Sequence, residues 1–282
     1  MRWSPSSTIA AVIWLFAACG SNPDGTTTAT PRTPSATGPV APSAPIAVSS
    51  SPPPATPIAS ASPASPRAAS SDAGRAPGKT RYVVAAIGDS LTDPKSHGGI
   101  YLEVLLARCP KSRFESYGVG GNMASMMRTR FLRDVFGEDP AGNKTSERPA
   151  WTHVIILGGL GDVLSNLTAK KSAKSIQRDI GWMVSETHER HAKALVLTLP
   201  PWAGAQQYDT VRGQMAVEVN AWIAAESGKS IDATFDTRAV LSCGQPEKLC
   251  DGLAFMDGLH WSRAGQTKLG EALAAGPFAD CE

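Results

Sequence analysis

The sequence predicts an α/β fold with three layers, in which helices cover both faces of a parallel central sheet. Two observations support this prediction. Short apolar runs rich in β-branched residues recur through the second part of the chain, and amphipathic segments of helical length stand between them. Continuous apolar runs are typical of strands that are buried on both faces, and strands that alternate with helices indicate a parallel sheet.

Four strands and five helices can be assigned in chain order. The predicted strands cover residues 82–87, 114–117, 154–157 and 194–199. The predicted helices cover residues 100–107, 123–136, 173–188, 211–225 and 264–275. Together they place the folded domain at residues 80–282, and its length of roughly two hundred residues is enough to build one hydrophobic core.

Residues 1–19 resemble a signal peptide for export. Arg2 supplies a positive charge, and residues 9–18 form an apolar stretch that is too short to span a bilayer. The stretch ends in the sequence FAAC, whose last residue is Cys19. This ending resembles a bacterial lipobox, in which the cysteine is lipidated and becomes the mature N-terminus. The alternative is an ordinary signal peptide that is cut nearby, with no role for Cys19.

Residues 20–79 consist almost entirely of Ser, Thr, Ala, Pro and Gly, and they hold thirteen of the 22 prolines of the chain. This composition offers too little apolar surface to offset the entropy of ordering the backbone. The segment is therefore predicted to be a disordered tether with a reach of roughly 40 to 180 Å. A low-complexity insert without a role is the alternative.

The charge balance gives no reason to expect a polyanionic partner. The formal net charge is +2, and no run of Lys and Arg interleaved with aromatic residues occurs. Because nucleic-acid binding depends on concentrated positive charge, a nucleic-acid partner is not expected.

Four of the five cysteines fall in the predicted folded domain. An even number of cysteines in an exported domain suggests disulfides. Cys243 and Cys250 flank a short polar loop and are the preferred pair, which leaves Cys109 to pair with Cys281. Reduced, buried cysteines are the alternative. Their spacing is not that of a zinc site, so no metal ligands are predicted among them.

Residues Gly88-Asp89-Ser90-Leu91 directly follow the first predicted strand. Ligands of an open parallel sheet bind outside the carboxyl ends of its strands, so Ser90 stands where a nucleophile is needed. The Ser90 N–H group can also face a developing oxyanion from this position. The alternative is that Ser90 caps the start of a helix.

Asp257 and His260 stand three residues apart, just before the last predicted helix. A serine nucleophile needs a base that accepts its proton, and the base needs a partner that fixes its tautomer. A histidine at a surface or a helix start is the usual alternative for His260 taken alone. The presence of the Ser90 motif in the same domain favours a catalytic pair.

Together these residues resemble the SGNH (GDSL-type) hydrolase family of serine esterases. The sequence GDSL at residues 88–91 is the first motif of that family, and Asp257-x-x-His260 is similar to its last. The resemblance implies a flavodoxin-like α/β/α fold, a triad of Ser90, His260 and Asp257, an acyl-enzyme, and no metal or other cofactor. The α/β-hydrolases are the alternative, but Thr92 stands where their nucleophile motif has a second glycine.

The resemblance also implies an oxyanion hole built from backbone N–H groups. Residues Gly120 and Gly121 follow the second predicted strand, where the family places a glycine whose N–H group binds the oxyanion. Gly121 is the preferred donor beside Ser90, and Gly120 is the alternative.

The third motif of the family departs from its pattern here. Gly161-Asp162 stands where the family has Asn-Asp, so the amide that would act as a further oxyanion donor is missing. Asn122 and Asn166 are the nearby candidates to replace it, and bound water or slow turnover are the remaining alternatives. Asp89 and Asp162 are expected to support the oxyanion site or to belong to it.

The resemblance and the export signal together imply an ester hydrolase at a bacterial cell envelope, either periplasmic or on the outer surface. Its expected substrates are short acyl groups, acetyl above all, on envelope or extracellular carbohydrate, with lipid esters and thioesters open. Cys19 would supply a membrane anchor. The alternative function is a surface lipoprotein of the same fold that binds glycan with weak or no catalysis, which the missing amide at Gly161 favours.

Overall fold

The computed structural model describes residues 79–165 and 171–282. The predicted signal peptide at 1–19, with Cys19, and the tether predicted at 20–79 lie outside the described residues, apart from residue 79. Asn166 also lies outside them. The boundaries proposed for these segments and for the folded domain therefore stay predictions.

Five parallel strands form the central sheet, in the order β2-β1-β3-β4-β5. Their bounds are β1 Val83–Gly88, β2 Arg113–Gly118, β3 His153–Leu157, β4 Lys193–Leu197 and β5 Ala233–Phe235. The chain runs from β1 outward to β2 and then returns to the other side of β1, where β3 to β5 follow. Ligands of such sheets bind at the carboxyl edge where the direction reverses, here between β1 and β3.

Seven α-helices connect and flank the strands within the described residues. Their bounds are α1 Ile100–Arg108, α2 Ala124–Phe131, α3 Leu160–Leu164, α4 Ala173–Glu189, α5 Thr210–Glu226, α6 Thr237–Leu241 and α7 Arg263–Ala275. Helix α1 packs on α7, whereas α2 packs on α4 and α4 packs on α5. The predicted α/β class with a parallel, helix-flanked sheet is confirmed.

The core consists of the apolar side chains of the sheet and of the helix faces that cover it. Residues Val84, Ala85, Ala86 and Ile87 of β1 are all fully buried, although successive side chains of a strand point to opposite faces. Burial on both faces explains why β1 reads as a continuous apolar run. Among the described residues, no helix is long and apolar enough to cross a bilayer.

Both predicted disulfides are present in the structure. Cys109 pairs with Cys281, at a Cα–Cα distance of 5.4 Å, and Cys243 pairs with Cys250, at 5.1 Å. The first joins the end of α1 to the C-terminal segment, and the second closes the loop that follows α6. Both separations are ordinary for a disulfide.

Two predicted elements differ from the observed ones by more than one residue at an end. The helix predicted at 123–136 is α2 followed by a π-helical turn at Leu132–Phe136. The strand predicted at 194–199 is β4, which ends at Leu197. Beyond that point the side-chain amide of Asn220 on α5 hydrogen-bonds both the N–H and the carbonyl of Leu199, at 2.7 and 2.9 Å. A side chain thus replaces the strand partner there.

Candidate active site

Three side chains form one hydrogen-bonded chain at the carboxyl edge of the sheet. The Ser90 hydroxyl lies 2.8 Å from Nε2 of His260, and Nδ1 of the same ring lies 2.5 Å from Oδ2 of Asp257. A carboxylate at Nδ1 favours the tautomer with its proton there, which leaves Nε2 able to accept the hydroxyl proton. The structure therefore brings together the three residues that the sequence predicts as a triad.

A tight turn after β1 presents Ser90. The Asp89 carbonyl accepts hydrogen bonds from the N–H groups of Thr92 and Asp93, at 3.1 and 3.0 Å, and the Asp89 carboxyl accepts one from Leu91 N–H at 3.0 Å. No helix starts at Ser90, because the first helical turn after β1 is the 3-10 turn Pro94–Ser96, which Asp93 caps, and α1 begins at Ile100. The alternative interpretation of Ser90 as a helix cap is therefore wrong, and its hydroxyl contacts His260 instead.

The loop before α7, residues 254–261, holds Asp257 and His260, and we call it the catalytic loop. An antiparallel bridge between Ala254 and Trp261 closes it, and Phe255 N–H donates to the His260 carbonyl at 2.7 Å. Helix α7 follows at once, with Ser262 as its N-cap. The loop is therefore fastened at both ends by backbone hydrogen bonds and a helix start.

The Asp257 carboxyl is held in its ionised form. Partial burial acts to raise its pKa, but the hydrogen bond from the His260 ring and those from the N–H groups of Leu259 and His260 outweigh it. The net result is an Asp257 pKa below its ordinary value. An ionised carboxylate at this place stabilises an imidazolium when His260 takes up a proton.

Two backbone N–H groups of residues that line one cavity have no acceptor among the described residues, namely those of Ser90 and Gly121. Gly121 adopts a left-handed conformation with φ of 74°, which suits glycine. The N–H group of Gly120 instead donates to the Asp93 carboxylate at 2.9 Å. The geometry thus favours Gly121 over Gly120 as an oxyanion donor beside Ser90.

A cavity of about 660 Å³ opens over these groups. Polar groups of Ser90, His260 and Asn122 stand on its wall, and the rest of the lining is mainly apolar. The apolar lining residues include Ile100, Leu160, Leu164, Phe255 and Leu259. The cavity has room for an acyl group and for part of the alcohol of an ester.

The two aspartates predicted to support the site have different positions. Asp89 lines the cavity and is buried, and burial raises its pKa to about 6. Asp162 is not part of the cavity lining, and its carboxyl accepts the N–H group of Ala124 at the start of α2, at 2.6 Å. Asp162 therefore anchors α2 to the segment after β3.

Two further residues organise the site, and the sequence interpretation missed both. Asp93 accepts hydrogen bonds from Gly120 N–H and from the Ser96 hydroxyl, each at 2.9 Å, and so joins two loops. Arg130 is buried in α2 and donates to backbone carbonyls and to Asn122. The detectable signal for Arg130 is an arginine on the face of α2 that also carries the buried Met127.

No cluster of three or more His, Cys, Asp or Glu side chains that could hold a metal ion occurs in residues 79–165 and 171–282.

Comparison with known protein families shows which family the chain matches. The family model described as GDSL-like Lipase/Acylhydrolase family matches residues 86–268, more than half of the chain. The match begins within β1 and ends within α7, so it includes Ser90, Asp257 and His260. No curated protein matches the sequence of this chain.

Solved structures show the same fold at low sequence identity. A protein of the lipolytic G-D-S-L family from Desulfitobacterium hafniense DCB-2 is 22% identical, with a TM-score of 0.55, and the match covers 69% of this chain and 99% of that one. A catalytic mutant of an acetylxylan esterase from Geobacillus stearothermophilus is 18% identical, with a TM-score of 0.54, over 70% of this chain and 94% of that one. At these identities the likeness is one of fold.

Proposed function

The chain belongs to the GDSL-like lipase/acylhydrolase family, and on this premise we propose that it hydrolyses carboxylic esters through an acyl-enzyme on Ser90. The observation that carries the proposal is the hydrogen-bonded chain from the Ser90 hydroxyl through His260 to Asp257, at the wall of the cavity. A nucleophile, its base and the orienting group of the base then have the mutual geometry that acyl transfer requires.

In the acylation step, Oγ of Ser90 attacks the ester carbonyl carbon while its proton moves to Nε2 of His260. The carbonyl oxygen becomes an oxyanion, which the N–H groups of Ser90 and Gly121 stabilise. The Asp257 carboxylate stabilises the imidazolium and keeps its orientation. The oxyanion then collapses, the bond to the alcohol oxygen breaks, and the imidazolium gives its proton to the leaving alcohol.

Deacylation repeats the same proton path with water. A water molecule gives one proton to Nε2 of His260 and attacks the acyl carbon, and the collapse of the second oxyanion releases the carboxylic acid. The imidazolium returns its proton to Oγ of Ser90, so that no group is consumed.

We further propose that the substrates are short acyl esters, acetyl above all, on envelope or extracellular carbohydrate. The predicted export signal supports this location, and the acetylxylan esterase from G. stearothermophilus shows that the same fold hosts this chemistry. The cavity would take an acetyl group beside Ser90 and a sugar hydroxyl as leaving group, with its remaining volume open to the alcohol part. Membrane attachment through Cys19 belongs to the same proposal.

The second candidate function is a binding protein with weak or no catalysis. It is favoured by Gly161, which supplies no side-chain amide to the oxyanion, since the loss of one such donor typically costs about 100- to 1000-fold in turnover. The two functions differ in one measurable property, which is whether ester cleavage depends on the Ser90 hydroxyl.

We expect Ser90→Ala to lower the rate of p-nitrophenyl acetate hydrolysis by more than roughly 1000-fold, because the nucleophile is removed. The matched control is Ser230→Ala, an exposed serine before β5 at the opposite edge of the sheet, which should hydrolyse at the wild-type rate. A fluorophosphonate should add one mass label to the wild type and none to Ser90→Ala. Equal rates for wild type and Ser90→Ala, also with longer acyl chains, would instead support the binding protein.

A further inference from the structure

We propose that the side-chain NH₂ group of Asn122 is the third oxyanion donor of this site, in the place of the amide that Gly161 lacks. The inference rests on the proposed ester hydrolysis and names an additional residue that contacts the reacting oxygen. Three observations lead to it, which concern the space at Gly161, the orientation of the Asn122 amide, and the position of Asn122 in the cavity wall.

The backbone of Asn122 occupies the space into which a side chain at position 161 would extend. A Cβ atom built on Gly161 would lie 2.6 Å from the Asn122 carbonyl oxygen and 3.2 Å from its carbonyl carbon. Both are backbone atoms, so they cannot move aside as the tip of a side chain can. The close approach of the Asn122 backbone is therefore possible only because position 161 is a glycine. The loop that leaves no space for an asparagine side chain at position 161 carries the side-chain amide of Asn122 instead.

The buried guanidinium of Arg130 fixes which way the Asn122 amide points. Nε of Arg130 donates to Oδ1 of Asn122 at 2.7 Å. An arginine side chain only donates hydrogen bonds, so the amide must turn its oxygen toward Arg130 and its NH₂ group away from it. No described residue accepts a hydrogen bond from that NH₂ group, which leaves it available for a ligand oxygen.

Arg130 is itself held firmly. It donates to the carbonyls of Tyr117 and Gly88, at 2.7 and 2.9 Å, which lie at the carboxyl ends of β2 and β1. It also pairs with Asp134 one turn further along the helix, at 3.1 Å. The amide orientation is thus set by the sheet rather than by a mobile loop, and the cation on the oxygen side polarises the amide and strengthens its NH₂ donors.

Asn122 lines the same cavity as Ser90 and directly follows Gly121. The backbone N–H group of Gly121 and the side chain of Asn122 therefore belong to one loop in the wall of the cavity that Ser90 also lines. In the third motif itself, Gly161 remains a wall of the cavity without a donor. Asn122 is in this view a catalytic residue, and Arg130 is its positioning residue.

The test compares three variants of the full chain with p-nitrophenyl acetate. We expect Asn122→Ala to lower kcat by about 100- to 1000-fold with little change in KM, because the donor acts on the transition state. Asn122→Asp keeps the shape and the contact with Arg130 but has no NH₂ group, so it should lose activity to a similar degree. Asn166→Ala, which removes the other candidate amide, should retain the wild-type kcat.

Binding of a trifluoromethyl ketone, which forms an oxyanion on Ser90, separates catalysis from structure. Its affinity should fall in Asn122→Ala and Asn122→Asp by about the same factor as kcat/KM, while the thermal midpoint of Asn122→Asp stays near that of the wild type. Unchanged kcat in Asn122→Asp, or a large loss in Asn166→Ala instead, would overturn the inference while leaving the esterase intact. A wild type without Ser90-dependent turnover would overturn the proposed function, and this inference with it.

Discussion

Asp89 directly precedes Ser90, the proposed nucleophile, and is only 4% exposed. Burial raises its pKa to about 6, although the hydrogen bond from Leu91 N–H and the nearby His260 act in the opposite direction. A carboxyl group whose pKa is raised in the folded state binds its proton more tightly there than in the unfolded chain. Ionisation of Asp89 at neutral pH therefore lowers the free energy of unfolding.

We expect Asp89→Asn to be more stable than the wild type at neutral pH and nearly equal to it in acid. The stabilising contribution of the Asp89 proton is complete below the unfolded pKa of 3.8 and is lost as the pH rises through about 6. The asparagine carbonyl can keep the bond from Leu91 N–H without a buried charge, so the gain at pH 7.5 should be on the order of 1 to 3 kcal/mol.

Urea unfolding of both proteins at pH 4.5 and pH 7.5 would measure this difference. Asp251→Asn is a suitable control, because it makes the same substitution at a side chain that is 97% exposed. A difference between wild type and Asp89→Asn that is the same at both pH values would contradict the assignment.

Single residues differ in how well a sequence reveals them. Ser90, Asp257 and His260 could be predicted because their residue types belong to one chemistry and stand in short motifs. Asp93 and Arg130 could not, because their roles depend on contacts with segments that are distant in the chain, Gly120 and the carbonyls at the ends of two strands. Residues proposed to react stand in sequence motifs, whereas residues that position them are identified only from contacts in the folded structure.

At the scale of elements, the catalytic loop rests on a second loop. Gly258 has a φ of 66°, and a Cβ atom built on it would lie 2.2 Å from the carbonyl oxygen of Gly204. The neighbouring N–H groups of Trp202 and Ala203 both donate to the Glu247 carbonyl, at 2.8 and 2.7 Å. Glu247 lies within the loop closed by the Cys243–Cys250 disulfide, so that disulfide is connected with the position of Asp257 and His260.

Loss of the Cys243–Cys250 disulfide should lower activity more, whereas loss of the Cys109–Cys281 disulfide should lower stability more. The double variant Cys243→Ser, Cys250→Ser should lose about tenfold or more in kcat/KM, since even a small misplacement of a catalytic group is costly. The Cys109–Cys281 disulfide lies at the other edge of the sheet, so the double variant Cys109→Ser, Cys281→Ser should keep the wild-type kcat/KM. The free energy of unfolding should fall by about 2 kcal/mol without Cys243–Cys250, which closes a loop of 7 residues, and by about 5 kcal/mol without Cys109–Cys281, which closes one of 172 residues.

Ester hydrolysis and urea unfolding of both double variants would show whether one loses more activity and the other more stability. The two pairs serve as controls for each other, because each removes one disulfide. If both variants lost activity only in proportion to their stability, the Cys243–Cys250 loop would have no positioning role.

Elements with a clear hydrophobic pattern were predictable, and short ones were not. Helix α4, predicted at 173–188, is observed at Ala173–Glu189. Strand β5 has three residues, Ala233–Phe235, all half-buried, and is too short to show any periodicity. Helix α3 begins at Leu160 in a glycine-rich segment, where local preferences argue against a helix and packing of the apolar Leu160 and Val163 decides.

At the scale of the whole described domain, residues near its first strand and near its last helix complete one site. Ser90 and His260, the proposed nucleophile and base, are 170 positions apart. Helices α1 and α7 pack on each other, and the buried Gln266 on α7 accepts from Tyr101 N–H and donates to the Leu91 carbonyl, at 3.3 and 3.2 Å. The sequence predicted the parallel sheet, but the order of its strands and this contact across the domain follow only from the packing.

For the whole chain, the proposed attachment to a membrane depends on Cys19. The hydrolase match covers residues 86–268, and the residues before it include the predicted signal peptide and the predicted tether. If Cys19 carries lipid, the wild type should incorporate labelled palmitate in a bacterial host and partition into detergent, and Cys19→Ala should do neither. Ser90→Ala is the control and should be labelled like the wild type, because attachment does not depend on its own catalysis. A wild type that is cut elsewhere and carries no label would leave a freely secreted hydrolase, whose substrates need not lie near a membrane.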